Sequence, residues 1–261
     1  MGMLDGRVAI CTGSGRGVGA EVAKLMAANG ARVLVNDPGV AQSGEGADAI
    51  PAEQIVAEIK AAGGQAVANF GSVARYEDCL AMVAQAREAF GGLHILFNPA
   101  GILRDRMFHN MSPEDWQAVI DVHLTGHFNA TRACINLFRE QAYGRIVMVS
   151  STSGLLGNIG QANYGAAKMG VVGLARIVAM ESAAKNITAN VTIILTIFFI
   201  AVPSRESWEN VERASDGGCG RITALSRHQP RVRQNPRIDK LPERQRLSSR
   251  PLAQNFKTAI L

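Results

Sequence analysis

The sequence predicts an α/β fold, a doubly wound parallel sheet with helices on both faces, followed by a C-terminal part that is atypical or disordered. Three observations carry this reading. Short apolar runs alternate with amphipathic stretches from residue 7 to about residue 196, as expected of strands covered on both faces by helices. A glycine-rich loop, Thr12-Gly13-Ser14-Gly15-Arg16-Gly17-Val18-Gly19, joins the first strand to the first helix. The composition then changes abruptly near Val191.

Arg7 to Thr12 reads as a buried strand and residues 18 to 29 as an alanine-rich helix with apolar residues at helical spacing. Arg32 to Asn36 is a second strand, and Pro51 opens a helix that runs to about Ala62. Ala66 to Phe70 is a short strand, Tyr76 to Phe90 a helix, and Leu93 to Phe97 the next strand. Ser112-Pro113-Glu114-Asp115 starts a long helix to about Gln141, with Ser112 capping and Pro113 in the first turn. Arg145 to Ser150 reads as strand, 161 to 185 as helix and Ile187 to about Thr196 as strand. Residues 1–200 therefore form one domain, and 201–261 an atypical basic tail.

With 261 residues, 47% apolar and 19% charged, the chain is a globular protein, not a disordered one. The start, Met-Gly-Met-Leu-Asp-Gly-Arg, has no signal-peptide pattern, so a cytoplasmic location is the default. Cys11, Cys79, Cys134 and Cys219 lack paired or metal-ligand spacing and read as reduced core residues, and no metal is expected. From residue 203 onward there are 12 Lys plus Arg against 6 Asp plus Glu, a net charge of +6, which leaves −1 for everything before it. The run from Thr192 to Val202 is too short to cross a membrane; uncovered, it would be an aggregation hazard.

Glycines in the 12–19 loop let the backbone turn sharply and approach a pyrophosphate, whose charge the following helix N-terminus favours. Asp37 follows the second strand where a carboxylate can accept hydrogen bonds from a ribose, which argues for NAD; Arg16 pulls towards the extra phosphate of NADP. Asp37 weighs more, because a carboxylate facing a phosphate is a direct penalty. It also lies in a turn-forming Asn-Asp-Pro-Gly. Tyr164 and Lys168 are four apart and share a helix face, with Ser151 just after a strand. A cation beside a phenol favours the phenolate and brings it towards useful acid-base chemistry, although such a pair is in most helices a solvated face.

The Gly13/Gly17/Gly19 loop, Asn98-Pro99-Ala100-Gly101, and Ser151, Tyr164 and Lys168 at their intervals together resemble the classical short-chain dehydrogenase/reductase family, over roughly residues 5 to 191. Val-Asn-Asp-Pro-Gly at 35–39, Gly101-Ile-Leu-Arg-Asp105 and Asp121-Val-His-Leu-Thr-Gly-His127 resemble its hydroxyacyl-CoA dehydrogenase branch, with 3-oxoacyl-acyl-carrier-protein reductases next. The resemblance implies a Rossmann-like sheet and hydride transfer between NAD(P) and a secondary alcohol or ketone, or a 3-hydroxyacyl or 3-oxoacyl thioester. It implies that Tyr164 is the acid/base, that Lys168 binds the nicotinamide ribose and depresses the Tyr164 pKa, and that Ser151 holds the substrate oxygen. Gly13, Ser14, Arg16, Gly17, Val18, Gly19 and Asp37 would hold the cofactor; Ser72 and Val73 would flank its adenine, and Asn98, Ala100 and Gly101 would line its cleft. A homo-oligomer built on the long helices follows, a dimer at best if the family's last strand is missing. No membrane partner is expected.

Pro99 replaces the family's second asparagine, and His123 stands where an asparagine supports a proton relay; histidine can itself relay protons. His94, His109 and His127 read as structural or exposed. Three readings of the tail compete: a nucleic-acid-binding extension, disfavoured by scattered basic residues and few aromatics; a disordered appendage; and a shifted reading frame near codon 191, favoured by the abrupt change. An alternative to an active enzyme is an impaired nucleotide-binding remnant lacking the substrate lid and last strand. Translating the coding DNA in its other two frames beyond codon 190 is expected to yield a Pro-Gly turn and a glycine-rich final strand. Their absence from both frames would refute the frame reading.

Overall fold

The computed structural model describes residues 2–41, 43–46 and 50–193. The tail readings, the boundary at residue 200, Cys219 and the apolar run beyond Ile193 lie outside the described residues. Six strands form one parallel sheet: β1 (Val8–Cys11), β2 (Arg32–Asn36), β3 (Gln65–Asn69), β4 (Ile95–Asn98), β5 (Gly144–Ser150) and β6 (Ile187–Ile193), in the order β3-β2-β1-β4-β5-β6. The helices are α1 (Gly17–Ala28), α2 (Ile50–Ala61), α3 (Tyr76–Phe90), α4 (Pro113–Ile120), α5 (Gly126–Glu140), α6 (Thr152–Leu156) and α7 (Ala162–Ser182).

Successive strand residues face opposite sides of a sheet, and here both sides are buried. Leu34, Leu96 and Ile146 pack with Met82 of α3, Cys134 and Phe138 of α5 and Val171 of α7. Their neighbours Val33, Val35, Phe97 and Val149 pack with Ala23 of α1 and Ile55 and Ile59 of α2. The doubly wound expectation therefore holds, with strand bounds within two residues of those read from the sequence up to β5. β1 pairs with both β2 and β4, so the chain winds outward in two directions from it. That reversal opens a crevice at the carboxyl ends of β1 and β4.

Two local features differ from expectation. The single helix expected over 112–141 is α4, one π turn over Asp121–Thr125, and α5. Such a wide turn accommodates one extra residue and is frequent at functional sites, and helical periodicity does not signal it. The start was legible: the Ser112 side chain accepts from Asp115 N at 3.1 Å. Helix α6 was not expected; at five residues it is too short for a periodic signal, and Ser151 caps it by accepting from Ser153 N at 3.2 Å.

Cys11, Cys79 and Cys134 are buried and unpaired, and burial pushes the Cys11 and Cys79 thiols up to about 12, so they are unreactive filler. Among the described residues no helix is long and apolar enough to cross a membrane. Phe138 is fully buried, and Gly144 lets its ring press on the start of β5, where a Cβ would collide with it. Phe138→Ala is expected to lower the unfolding free energy by about 3–5 kcal/mol in urea denaturation. A loss below about 1 kcal/mol would mean that this core collapses around the cavity.

Candidate active site

The crevice is lined on one side by the 12–19 loop. Gly13 and Gly17 adopt φ of 53° and 56°, the left-handed region that glycine enters without strain. A Cβ on Gly13 would lie 2.6 Å from Ala100 Cα, so only glycine lets β1 and β4 end this close together. Helix α1 begins with no side-chain cap and no acidic residue in its first turn, leaving its first amides free for an anion in the cleft. A cavity of about 720 Å³ opens here, lined by Gly13, Arg16, Gly17, Asp37, Ser72, Val73, Ala100 and Gly101 among others.

Asp37 is held on both oxygens: Oδ2 accepts from Gly15 N at 2.9 Å and Oδ1 from Gly39 N at 2.8 Å. The carboxylate thus braces the glycine loop while standing at the cleft wall, so the turn reading and the ligand reading of Asp37 are compatible. The Arg16 guanidinium is exposed and donates to Val40 O at 3.4 Å. Two expected cleft residues face elsewhere. Ser14 is fully buried, its hydroxyl donating to Cys11 O at 2.6 Å, because the turn folds it under the loop. Asn98 lies beneath the cleft, its Oδ1 accepting from Thr12 Oγ1 at 2.5 Å; its role is to tie β4 to β1.

A smaller cavity of about 290 Å³ adjoins the first, sharing Gly13, Arg16 and Gly101 with it, and is lined by Val18, Gly19, His123, Ser151, Tyr164 and Lys168. The structure thus brings Ser151, Tyr164, Lys168 and His123 together. Ser151 directly follows β5 and caps α6, while Tyr164 and Lys168 project from the first two turns of α7. Helix α7 is seated by Ser150, whose hydroxyl donates to Lys168 O at 2.8 Å, and by Gly154, where a Cβ would lie 2.9 Å from the Lys168 carbonyl carbon. Lys168 Nζ donates to Val149 O at 2.8 Å and lies 5.5 Å from the Tyr164 ring centroid. His123, inside the π turn, meets that ring edge-on with centroids 5.0 Å apart. Its imidazole rests against Gly101, where a Cβ would overlap it, and its Nε2 lies 2.7 Å from Ile102 O and 3.1 Å from Ile102 N.

The electrostatics correct one expectation. The Tyr164 pKa is raised, not depressed: burial raises it, the Ser151 hydroxyl hydrogen bond lowers it, and the Asp105 carboxylate raises it. Lys168 is not among the groups that move it; burial pulls the Lys168 pKa down to about 8, and its ammonium donates to Val149 O. His123 is held well below its ordinary value by burial and by Lys168, so it is a neutral imidazole at pH 7. His127 is driven to about 3 by burial and Lys168. His94 accepts from Val8 N at 3.0 Å, a structural role as expected. No cluster of His, Cys, Asp or Glu among the described residues could hold a metal ion.

Sequence reasoning singled out residues 101–105 only as a branch motif and missed their contacts with the site. Residues 102–106 touch His123 through Ile102, Gln161 through Asp105, which accepts from Nε2 at 2.8 Å, and Gly160 through Arg106, whose N donates at 2.8 Å. Asn163, next to Tyr164, is fully buried and bonded on both ends of its amide. A buried asparagine in the first turn of a helix has no pattern that distinguishes it from an exposed cap.

Residues 7–197 match the family model described as short chain dehydrogenase. The chain is 50% identical over 187 residues to a short-chain type dehydrogenase/reductase of Mycobacterium tuberculosis, covering 72% of this chain and 65% of that one. It is 50% identical over 189 residues to peroxisomal multifunctional enzyme type 2 of Drosophila melanogaster, covering 72% and 31%. Against 3-oxoacyl-[acyl-carrier-protein] reductase of Synechocystis the identity is 43% over 190 residues, covering 73% and 74%. The match thus spans less than two thirds of the first two relatives. A short chain dehydrogenase structure from Mycobacterium avium superposes with a TM-score of 0.69 at 37% identity, covering 90% of this chain and 92% of that one.

Burial of Lys168 fixes a pH dependence. Its folded pKa of about 8 lies below its ordinary value of 10.5, so between these values the unfolded chain binds more protons and stability rises with pH. Compared with Lys168→Met, the parent is expected to gain stability as pH rises from 8 to 10, by at most about 1.4 kcal/mol per unit. Parallel urea-unfolding curves for the two proteins across that window would refute the buried-ammonium account.

Proposed function

The chain belongs to the short-chain dehydrogenase family, and on that premise we propose that it transfers a hydride between NAD and the carbon of a secondary alcohol or ketone, with a 3-hydroxyacyl or 3-oxoacyl thioester as substrate. The observation that carries the reading is the meeting of Ser151, Tyr164 and Lys168 in a cavity continuous with the glycine-loop cleft. A dinucleotide fits that cleft: glycines leave room for a pyrophosphate, the amides of α1 point at it, and Asp37 stands where a ribose hydroxyl would donate. The bound nicotinamide supplies or accepts the hydride.

The chain's own residues supply the proton chemistry. Tyr164 donates its phenolic proton to the substrate oxygen in reduction and takes it back in oxidation. Ser151, whose hydroxyl lowers the Tyr164 pKa, holds the same oxygen beside the phenol. Lys168, which lines the same cavity, would hold the nicotinamide ribose through its ammonium. Neutral His123 packs edge-on against the phenol ring. Asp37 opposes the extra phosphate of NADP, which supports NAD over NADP.

Two further features support the thioester reading. The name of the Synechocystis relative, a 3-oxoacyl-[acyl-carrier-protein] reductase, points to an acyl substrate. Phe108, Leu156 and Ile159 expose 77%, 85% and 84% of their surface in two segments joined by the bridge between Arg106 and Gln161, an apolar rim suited to an acyl chain. Exposed Phe128, Met169, Ile177 and Met180 on α5 and α7 support a homo-oligomer through these helices, a dimer in our reading. Nothing among the described residues favours the impaired reading.

The test is reduction of acetoacetyl-CoA by NADH. Tyr164→Phe is expected to lower kcat by roughly a hundredfold or more while NADH still changes its fluorescence on binding. Normal turnover by that variant, or no NADH binding by the parent, would overturn the reading.

A further inference from the structure

Helix α7 begins without the usual help. Its capping residue, Gln161, makes no side-chain cap bond, and no acidic residue lies in its first turn. That turn nevertheless carries Tyr164, and a frayed turn there would let the phenol wander. Asn163 meets the need from inside the helix. Its Oδ1 accepts from Tyr164 N at 2.8 Å, while its Nδ2 donates to Arg104 O at 3.0 Å and to Asp115 O at 3.1 Å. One fully buried amide therefore joins the Tyr164 backbone, the 102–106 segment and the first turn of α4. Both amide protons and the oxygen are used, so no other residue type of this size satisfies the site.

The carbonyls that receive Asn163 are themselves fixed. Arg104 Nε donates to Ser43 O at 2.9 Å, and its Nη1 lies 3.5 Å from Asp115 Oδ1. Ser43 is next to Gly44, which packs on Ile102, a Cβ there lying 2.9 Å from Ile102 Cδ1. The same short segment thus reaches the loop over the larger cavity and the helix that carries the phenol.

We propose that Asn163 is a positioning residue for Tyr164, clamping the first turn of α7 to the 102–106 segment so that the phenol stands at a fixed distance from Ser151. The inference rests on the proposed acid/base role of Tyr164, yet the geometry it describes is measurable without turnover. Misplacing a reacting group by about an ångström costs up to roughly a hundredfold in rate. Loss of the clamp is therefore expected in kcat, with cofactor binding at the glycine loop left nearly intact.

The experiment compares the parent with Asn163→Ala and with the milder Asn163→Ser, which keeps an oxygen for Tyr164 N. Tyr164 ionisation is read from phenolate absorbance as the difference between each protein and its Tyr164→Phe counterpart, alongside NADH binding and acetoacetyl-CoA reduction per folded molecule. Unclamping admits water to the ring and frees Asp105 from beside it, so the Tyr164 midpoint is expected to fall towards the ordinary phenol value. The expected rate effect is a kcat lower by roughly tenfold to a hundredfold at unchanged NADH affinity, with Asn163→Ser between the parent and Asn163→Ala. A Tyr164 midpoint and a kcat that match the parent in whichever variant folds would overturn the proposal. A parent that titrates as described but does not reduce acetoacetyl-CoA counts against the substrate reading alone, since the midpoint shift still reports the clamp.

Discussion

A parallel sheet that winds outward in both directions from β1 cannot close over the carboxyl ends of β1 and β4, and Asp37, Ser151, Tyr164 and Lys168 stand around the resulting gap. The gap stays narrow because Gly13 lets the two strands end in contact, and it stays rigid because Thr12 and Asn98 bond across it. Asp37 then pins the glycine loop from the neighbouring strand through Gly15 and Gly39. Ordered backbone amides at the start of α1 follow from these constraints without any charged side chain. Anion recognition here is a property of chain path more than of composition.

Burying an ammonium beside this gap is the costly step. Lys168 is 2% exposed and receives one carbonyl, Val149 O, in place of bulk water. Its lowered pKa measures the cost, and burial first, then the same charge, holds both buried imidazoles neutral. The phenol answers instead to its burial, to Ser151 and to Asp105. Stability is given up at the point where a mobile proton is required, a familiar exchange at sites that do chemistry.

Much of this was readable in advance. The apolar runs and helical spacing gave the order of elements along the chain, and the glycine loop, Asn98-Pro99-Ala100-Gly101 and Ser151, Tyr164 and Lys168 taken together, none of them alone, pointed to the family. What escaped was whatever depends on contacts across sequence. Ser14 and Asn98 sit at expected positions but turn inward, since buried carbonyl and hydroxyl partners outcompete an open cleft. The sign of the Tyr164 shift depends on how deeply the ring is enclosed, which spacing does not encode. The bonds Asn163 makes to Arg104 O and Asp115 O, and the one Arg104 makes to Ser43 O, span about fifty to sixty residues, so sequence position does not signal them.

The π turn over Asp121–Thr125 has a consequence for how the site relates to its scaffold. Val119 and Phe138 both face the core from opposite sides of that turn, nineteen positions apart in sequence. At about 100° per residue an unbroken α-helix of that length would end roughly 100° out of phase. One surplus residue absorbed in the wide turn brings the two ends back to whole turns. Deleting one residue there would leave the helical phase on both sides unchanged and withdraw only the bulge that holds His123 under Tyr164. The packing face and the catalytic face of this helix are therefore separable by a single codon, so insertion and deletion can retune the pocket without disturbing the core.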